Sequence, residues 1–317
     1  MYNKELILTL LNINGMGRKT INSLLKESLP KTLDCHNILS FINKNQINRF
    51  SFLKIEDIIQ SQNKAKNIIL YCIKNKINMI TILDKDFPSK LKIIEDNPVL
   101  LFYKGNINCI NSSKSIAIIG SRFPSSYGEE YTKHISQYFS DRNYVIVSGL
   151  AHGCDTHAHK VCVSNNKKTI AVLPCGLDKI CPKDNIDLSK EIFLNNGCLV
   201  SEYFPSQPSL KHQFIERDRL QSALSIGIIV IECSIDSGTM HTVHFSQKQD
   251  KVIGCCIPNK NIDVNKISGN IKLLKDKLIA PIYSYDSLNN FSLLLENKIN
   301  NSSNLSKCDI HQLKFSL

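Results

Sequence analysis

The chain has 317 residues, 42% of them apolar, enough for a sizeable core, and its 39 Lys+Arg against 28 Asp+Glu give a formal net charge of +11. That balance excludes an acidic solvating tail and favours a polyanion, nucleic acid or an anionic membrane surface, although a composition rich in Lys and Asn inflates the count everywhere. No run approaches the roughly 18 apolar residues of a spanning helix, and MYNKELILTLLNINGMG lacks the small-residue cleavage site of a secretory signal, so a cytoplasmic protein without a membrane partner is expected.

Residues 1–83 are expected to form a small helical N-terminal domain. Leu6, Leu10 and Leu11, and later Ile58, Ile59, Ala65, Ile68, Ile69 and Cys72, recur at helical spacing. Within it, INGMGRKTINSLL sets Gly15 and Gly17 between two helical patterns, with Arg18 and Lys19 opening the second. This is either a helix-hairpin-helix that turns backbone amides toward a nucleic-acid phosphate or a plain turn between helices. Residues 84–107 carry Pro88, Pro98 and Gly105 around the extended run Val99–Tyr103, a bridge that adds a strand.

From Ser115 to Pro258 six short apolar runs alternate with helical stretches: IAIIGS, YVIVSGL, TIAVLPC, GCLVSEY, GIIVIEC and KVIGCCI. Each is apolar on both faces, and the spacings leave room for a crossover helix. The fold class is therefore α/β, a Rossmann-like doubly wound parallel sheet over residues 84–260 with the helical domain in front. Residues 261–317 are expected to hold one helix near Ile271 to Leu278 and then a flexible end from Asn297, with no winged-helix module.

In such a sheet ligands meet the C-terminal ends of the strands. Those ends read Gly120-Ser121-Arg122, Ser148-Gly149, Cys175-Gly176-Leu177-Asp178, Ser201-Glu202, and Glu232 followed by Ser237-Gly238-Thr239. Gly with Ser or Thr lets a phosphate approach backbone amides closely. The Gly120-Ser121-Arg122 turn by itself suits the phosphate of a cofactor or of a nucleic acid, but GxGxxG does not follow the first strand and GxxxxGK[ST] is absent, which disfavours a standard dinucleotide site and a P-loop, so no cofactor is expected. In AHGCDTHAHKVC, Cys154 and His157 share one helical face while Asp155 and His159 share another, so no metal is expected. The twelve cysteines lie mostly in apolar runs without CxxC pairs and read as reduced core residues.

GSRFPSSYG, SGLAHGCDTHAH, TIAVLPCGLDKICPKDN, LVSEYFPSQPSLKHQFIERDRLQSALS and IIVIECSIDSGTMHT followed by KVIGCCIP resemble, in order and spacing, the DNA processing protein A family (DprA/Smf). The resemblance covers residues 84–260 and more loosely the helical N-terminus. It implies a protein that binds single-stranded DNA nonspecifically and loads the RecA recombinase in DNA processing and natural transformation, as a homodimer. In Gly120-Ser121-Arg122 the arginine matches the family's phosphate-binding turn. Lys211 and Phe214 in KHQF match the basic and aromatic pair of its DNA groove, and Arg217 and Arg219 fall where the family is strongly basic. Asp155 and His159 also match family positions and, with Glu232, are expected to support the groove rather than to act as acid and base.

One departure lies in that groove. The family reads approximately Phe-Pro-Arg-Arg-Asn-Arg where this chain has Phe214-Ile215-Glu216-Arg217-Asp218-Arg219, so two carboxylates either weaken DNA binding or turn away and pair with the arginines. An enzyme is not expected. Ser237-Gly238-Thr239 more faintly resembles the nucleotide turn of a related fold that cleaves nucleoside monophosphates, but Met240-His241-Thr242 follows where that family has its acidic residue. A sensor of free nucleotide in the same groove is the other alternative.

Overall fold

The computed structural model describes residues 1–45, 48–257 and 262–314. They divide into two compact units, the first made of Met1–Lys104 with Cys175–Lys179 and Val200–Pro208, the second of Gly105–Pro174, Ile180–Leu199 and Ser209–Leu317.

In the first unit α1 (Tyr2–Leu11), α2 (Arg18–Leu24), α3 (Cys35–Lys44) and α4 (Ile55–Lys74) precede β1 (Asn78–Thr81), the single turn α5 (Ser89–Lys92) and β2 (Leu100–Gly105). α1 and α4 form because Leu6, Ile7 and Leu10 on one and Ile58, Ala65, Ile69 and Cys72 on the other bury a common face. Asp34 caps α3 by accepting from the Asn37 amide. The helical reading of the first 80 residues missed β1, which pairs antiparallel with β2, Met79 opposite Phe102 and Ile80 opposite Leu101. Four residues are too short a run to display a period of two, and only the partner strand turns them into sheet. That pairing carries the unit on to Lys104, past the expected boundary at 83.

The Gly15/Gly17 turn does join α1 to α2, with Gly15 at φ +79° and Gly17 as the N-cap. Arg18 donates from Nε to Asp96 Oδ1 at 2.8 Å, so this cation is held in an ion pair inside the unit.

The second unit is built on β3 (Ser115–Ile119), β4 (Val145–Ser148), β5 (Thr169–Val172), β6 (Cys198–Ser201), β7 (Gly227–Val230), β8 (Val252–Cys256) and β9 (Ile279–Ile282). The strand order is β6-β5-β4-β3-β7-β8-β9, and the pairs β3·β4, β3·β7, β4·β5, β7·β8 and β8·β9 are parallel. Between them run α6 (Ser126–Asp141), α7 (Cys154–Ser164), α8 (Ile186–Leu194), α9 (Lys211–Ala223), α10 (Thr239–Lys248) and α11 (Val264–Leu273). All six runs expected as strands are strands. Ile116, Ile118, Ile146 and Ile229 point into one core with α6, α7 and the C-terminal helix α12 (Tyr285–Lys314). Residues alternating with them face the opposite helix layer, where α9 packs on α10, so both sheet faces are dry and the strands read apolar throughout.

The C-terminal segment departs from expectation. The helix expected near Ile271 to Leu278 lies earlier, at Val264–Leu273, started by Asp263, whose side chain accepts from the Asn265 amide. A further strand, β9, follows, and its Pro281 is tolerated because β9 sits at the sheet edge, where a missing N–H costs no ladder bond. From Asn297 the expected flexible end is instead a continuation of α12 through Lys314; residues 315–317 lie outside the described residues. Leu288, Phe291 and Leu295 anchor the first turns of α12 in the core, and helix propagation from a nucleated turn is inexpensive even through polar sequence.

Candidate functional site

From β3 the chain winds outward through β4 and β5, then returns to lay β7 on the other side of β3. The crevice between β3 and β7 is therefore the topological switch point, the place where a doubly wound sheet receives ligands. A cavity of 610 Å³ opens there, lined by Gly120, Ser121, Arg122 and Phe123 after β3, by Phe214, Arg217 and Asp218 of α9, and by Ser237, Gly238 and Thr239 at the start of α10.

The β3 turn is clamped at both ends. The Ser121 amide donates to the Glu232 carbonyl at 2.7 Å, and the Cys154 amide to the Ser121 carbonyl at 3.1 Å. Glu232, 2% exposed, accepts from the Ser125 amide at 3.1 Å and from Ser125 Oγ at 2.6 Å, while Ser125 caps α6 through the Gly128 amide. Gly120 is required because a Cβ there would stand 2.6 Å from Cys154 Sγ. Thr239 Oγ1 donates to the Gly120 carbonyl at 3.2 Å, joining the start of α10 to the same turn.

On this platform Arg122 is exposed, and its guanidinium lies 5.3 Å from the centre of the Phe214 ring. No carboxylate among the described residues pairs with it, which leaves its charge available to an incoming anion. Lys211 is exposed as the first residue of α9. Arg122 of the β3 turn and Phe214 of α9 are thus in contact, although the sequence set Phe214 beside Lys211 and gave Arg122 to a separate segment.

Arg217 and Arg219 differ from the exposed basic line expected of them: they are 6% and 2% exposed. Arg217 Nη1 donates to the carbonyls of Gly149 at 2.8 Å and Val172 at 2.6 Å, and Nε donates to Asp218 Oδ1 at 3.0 Å. Arg219 donates to the Glu216 carbonyl at 2.7 Å and does not reach the cavity wall. Polar RDRLQS reads as surface, yet α9 is sandwiched between the sheet and α10, so its last two turns are buried whatever their polarity. Gly149 also lies beneath the wall, where a Cβ would come within 2.0 Å of Arg217 Nη1, and Ser148 Oγ donates to the Ile118 carbonyl at 2.8 Å.

The floor of the cavity is a trio of buried charges. After β4 the chain turns through Leu150 at φ +58°, which aims the amides of Gly149 and Ala151 at Asp155 Oδ2, at 3.1 and 3.3 Å. Burial pushes the Asp155 carboxyl above its ordinary value, and the Arg217 guanidinium opposes that shift. Burial also pushes Asp218 up to about 6, again against Arg217. Asp155 keeps two backbone donors besides the arginine, whereas Asp218 has Arg217 Nε, so Asp218 is the carboxylate held less firmly in its charged form. Its unfolded carboxyl ionises first, so the native state binds the extra proton and stability falls as pH rises from about 4 through about 6. Asp218→Asn, whose amide oxygen still accepts from Arg217, is expected to be more stable than the parent at pH 7.5 by on the order of 1–2 kcal/mol and no more stable at pH 4, in urea melts. Buried His159, pushed down to about 3, acts in the opposite sense in both proteins and cancels in the difference.

His159 does not face the cavity; its Nδ1 meets Thr169 Oγ1 at 2.8 Å behind β4. The neighbouring histidines diverge too, His152 toward Asp184 and His157 toward Glu129, each 3.6 Å away, so the segment that suggested ligands does not converge on one point. Burial pushes the thiols of Cys154 and Cys162 up to about 12, as expected of packing residues. Asp178, expected on the ligand edge, belongs to the first unit, where it accepts from the Ser206 amide at 2.8 Å and from Tyr71 Oη at 2.7 Å. Lining residues that escaped the sequence reading include Phe123, 78% exposed, and Asn265 with Lys266 on α11. The last two were hidden by placing that helix late; Asp263 ahead of Val264 was the cap signal that marked its true start.

Residues 78–291 match the family model of DNA recombination-mediator protein A. The chain is 31% identical over 238 residues to DNA processing protein DprA of Bacillus subtilis, a match covering 75% of this chain and 78% of that one. Among solved structures, DNA processing protein A of Streptococcus pneumoniae superposes with a TM-score of 0.72 at 27% identity, covering 91% of this chain and 97% of that one. DNA processing protein A of Helicobacter pylori, described for its single-stranded DNA binding mode, does so with a TM-score of 0.62 at 28% identity, covering 70% and 97%. With two thirds of its length inside one family model and these relatives beside it, the chain belongs to the DNA recombination-mediator protein A family.

Proposed function

We propose that this protein binds single-stranded DNA without regard to sequence and hands it to a RecA-class recombinase, acting as a homodimer and without chemistry of its own. The observation that carries the reading is the exposed Arg122, without a carboxylate partner among the described residues and 5.3 Å from the centre of the Phe214 ring, at the switch-point cavity of a chain of net charge +11. A cation and a ring side by side suit a polymer that alternates phosphates with bases. Beside them α10 begins at Thr239, and the positive end of its dipole favours an anion, although the Met240 and His241 amides already donate to the Ser237 and Gly238 carbonyls. Lys211 at the start of α9 extends the positive surface. The family's description as a recombination mediator and the DNA-binding mode of the Helicobacter pylori relative support the same reading. No helix among the described residues is long and apolar enough to cross a membrane.

The test is a salt titration of binding to oligonucleotides of mixed sequence. The expected affinity falls linearly in log–log form with a slope of about −0.7 for each phosphate neutralised, varies little with base sequence, and exceeds that for duplex DNA. A salt-independent affinity, or stronger binding to the duplex, contradicts the reading. The recombinase step is checked by assembly of RecA filaments on DNA precoated with single-strand-binding protein, which the chain is expected to accelerate.

A cavity of 610 Å³ also has room for a single nucleotide, which keeps a free-nucleotide sensor as the second reading. Stabilisation against heat by a mononucleotide but not by an oligonucleotide supports the sensor instead.

A further inference from the structure

We propose that Phe123, rather than Phe214, is the platform on which a base of the bound strand stacks, while Phe214 serves to hold Arg122; this rests on the single-stranded DNA reading above. Both rings line the same cavity. Their situations differ. Phe214 is half-buried and its ring has the Arg122 guanidinium 5.3 Å from its centre, so a base could take that place only by breaking a cation–π contact and freeing the cation that is to hold a phosphate. Phe123 is 78% exposed and lines the cavity, so a base can meet its ring without displacing a cation.

The backbone beneath Phe123 is fixed, so the ring is displayed rather than loose. Its amide donates to Ser121 Oγ at 3.0 Å, and Pro124 behind it restricts its backbone. Gly153, at φ +70°, packs so tightly beneath the turn that a Cβ there would stand 2.4 Å from the Ser121 carbonyl oxygen and 2.6 Å from that of Arg122. A rigid turn that presents a cation and then a ring at successive residues offers one phosphate and one neighbouring base their contacts together. Stacking on an aromatic side chain tolerates every base, as a sequence-independent binder requires.

The experiment compares a 20-nucleotide oligo-dT with a 20-nucleotide abasic strand carrying the same phosphates, by fluorescence anisotropy, on the full chain. The parent is expected to prefer the oligo-dT roughly 5- to 100-fold, the range that one or two stacked bases provide. Phe123→Ala is expected to lose most of that preference while binding the abasic strand as the parent does; Phe214→Ala is expected to weaken both ligands alike. The chain contains no Trp, so Phe123→Trp provides a single reporter whose emission oligo-dT should quench and the abasic strand should not. Retention of the preference by Phe123→Ala, its loss in Phe214→Ala alone, or an unquenched Trp overturns the assignment. Equal binding of both strands by the parent overturns it too and leaves the DNA reading standing; binding of neither overturns the DNA reading itself.

Discussion

Arg122→Glu is expected to lower the affinity for single-stranded DNA by about 100-fold at moderate salt, and Arg122→Ala by about tenfold. The difference between them follows from the site. Alanine removes one phosphate contact and with it close to one unit of the salt slope, whereas glutamate puts a like charge in front of the strand on a turn that cannot move aside. That turn is clamped by the Glu232 carbonyl and carboxylate and by the Cys154 amide, so the substituted side chain stays at the cavity mouth. Arg122→Lys keeps the charge but lacks the planar group that lies over Phe214, and is expected to fall between parent and alanine. Because the residue is exposed and accepts no structural burden, urea midpoints of all three variants should match the parent. Unchanged DNA binding by Arg122→Glu removes the cavity from the account.

Arg217→Met is expected to destabilise the second unit by about 3–5 kcal/mol without touching an exposed residue. The guanidinium acts on both Asp155 and Asp218 and also satisfies the Gly149 and Val172 carbonyls. Methionine fills much of the volume but leaves two buried carboxylates and two carbonyl oxygens with fewer partners. Both carboxyl groups already lie above their ordinary range, and loss of Arg217 raises them further, so the penalty is largest near pH 8 and shrinks as pH falls toward 5 and they take up protons. Adding Asp218→Asn to Arg217→Met should restore part of the loss at pH 8, since one uncompensated charge is gone. Chemical denaturation at both pH values checks the sign. A penalty that grows toward low pH would mean that the carboxylates are held charged by something other than Arg217.

The sheet was legible because each strand is buried on both faces, so GIIVIEC or TIAVLPC announces itself without needing alternation. β1 and β9 were not: each leaves part of its length outside the core and draws its identity from the neighbour it pairs with. At the site, Gly120, Ser121, Arg122 and the Ser237-Gly238-Thr239 turn were readable from strand ends alone, since the chain order that makes a switch point also fixes which loops meet. What sequence could not tell was which polar residues face outward. Arg217 and Asp218 form the arginine–carboxylate pair that was one of the two alternatives in the sequence, but they lie buried under the cavity, because burial of α9 is decided by α10 and the sheet rather than by the composition of α9. Phe123 shows the reverse: an aromatic residue that composition assigns to a core, set outside by a clamped turn.

Amide hydrogen exchange of the full chain with and without a saturating oligo-dT tests most directly whether the strand crosses the switch-point cavity. The account predicts slowed exchange at 120–123 and 237–240, with little change in 1–45. Protection confined to the first unit, with the β3 and α10 turns exchanging as in the free protein, would contradict it.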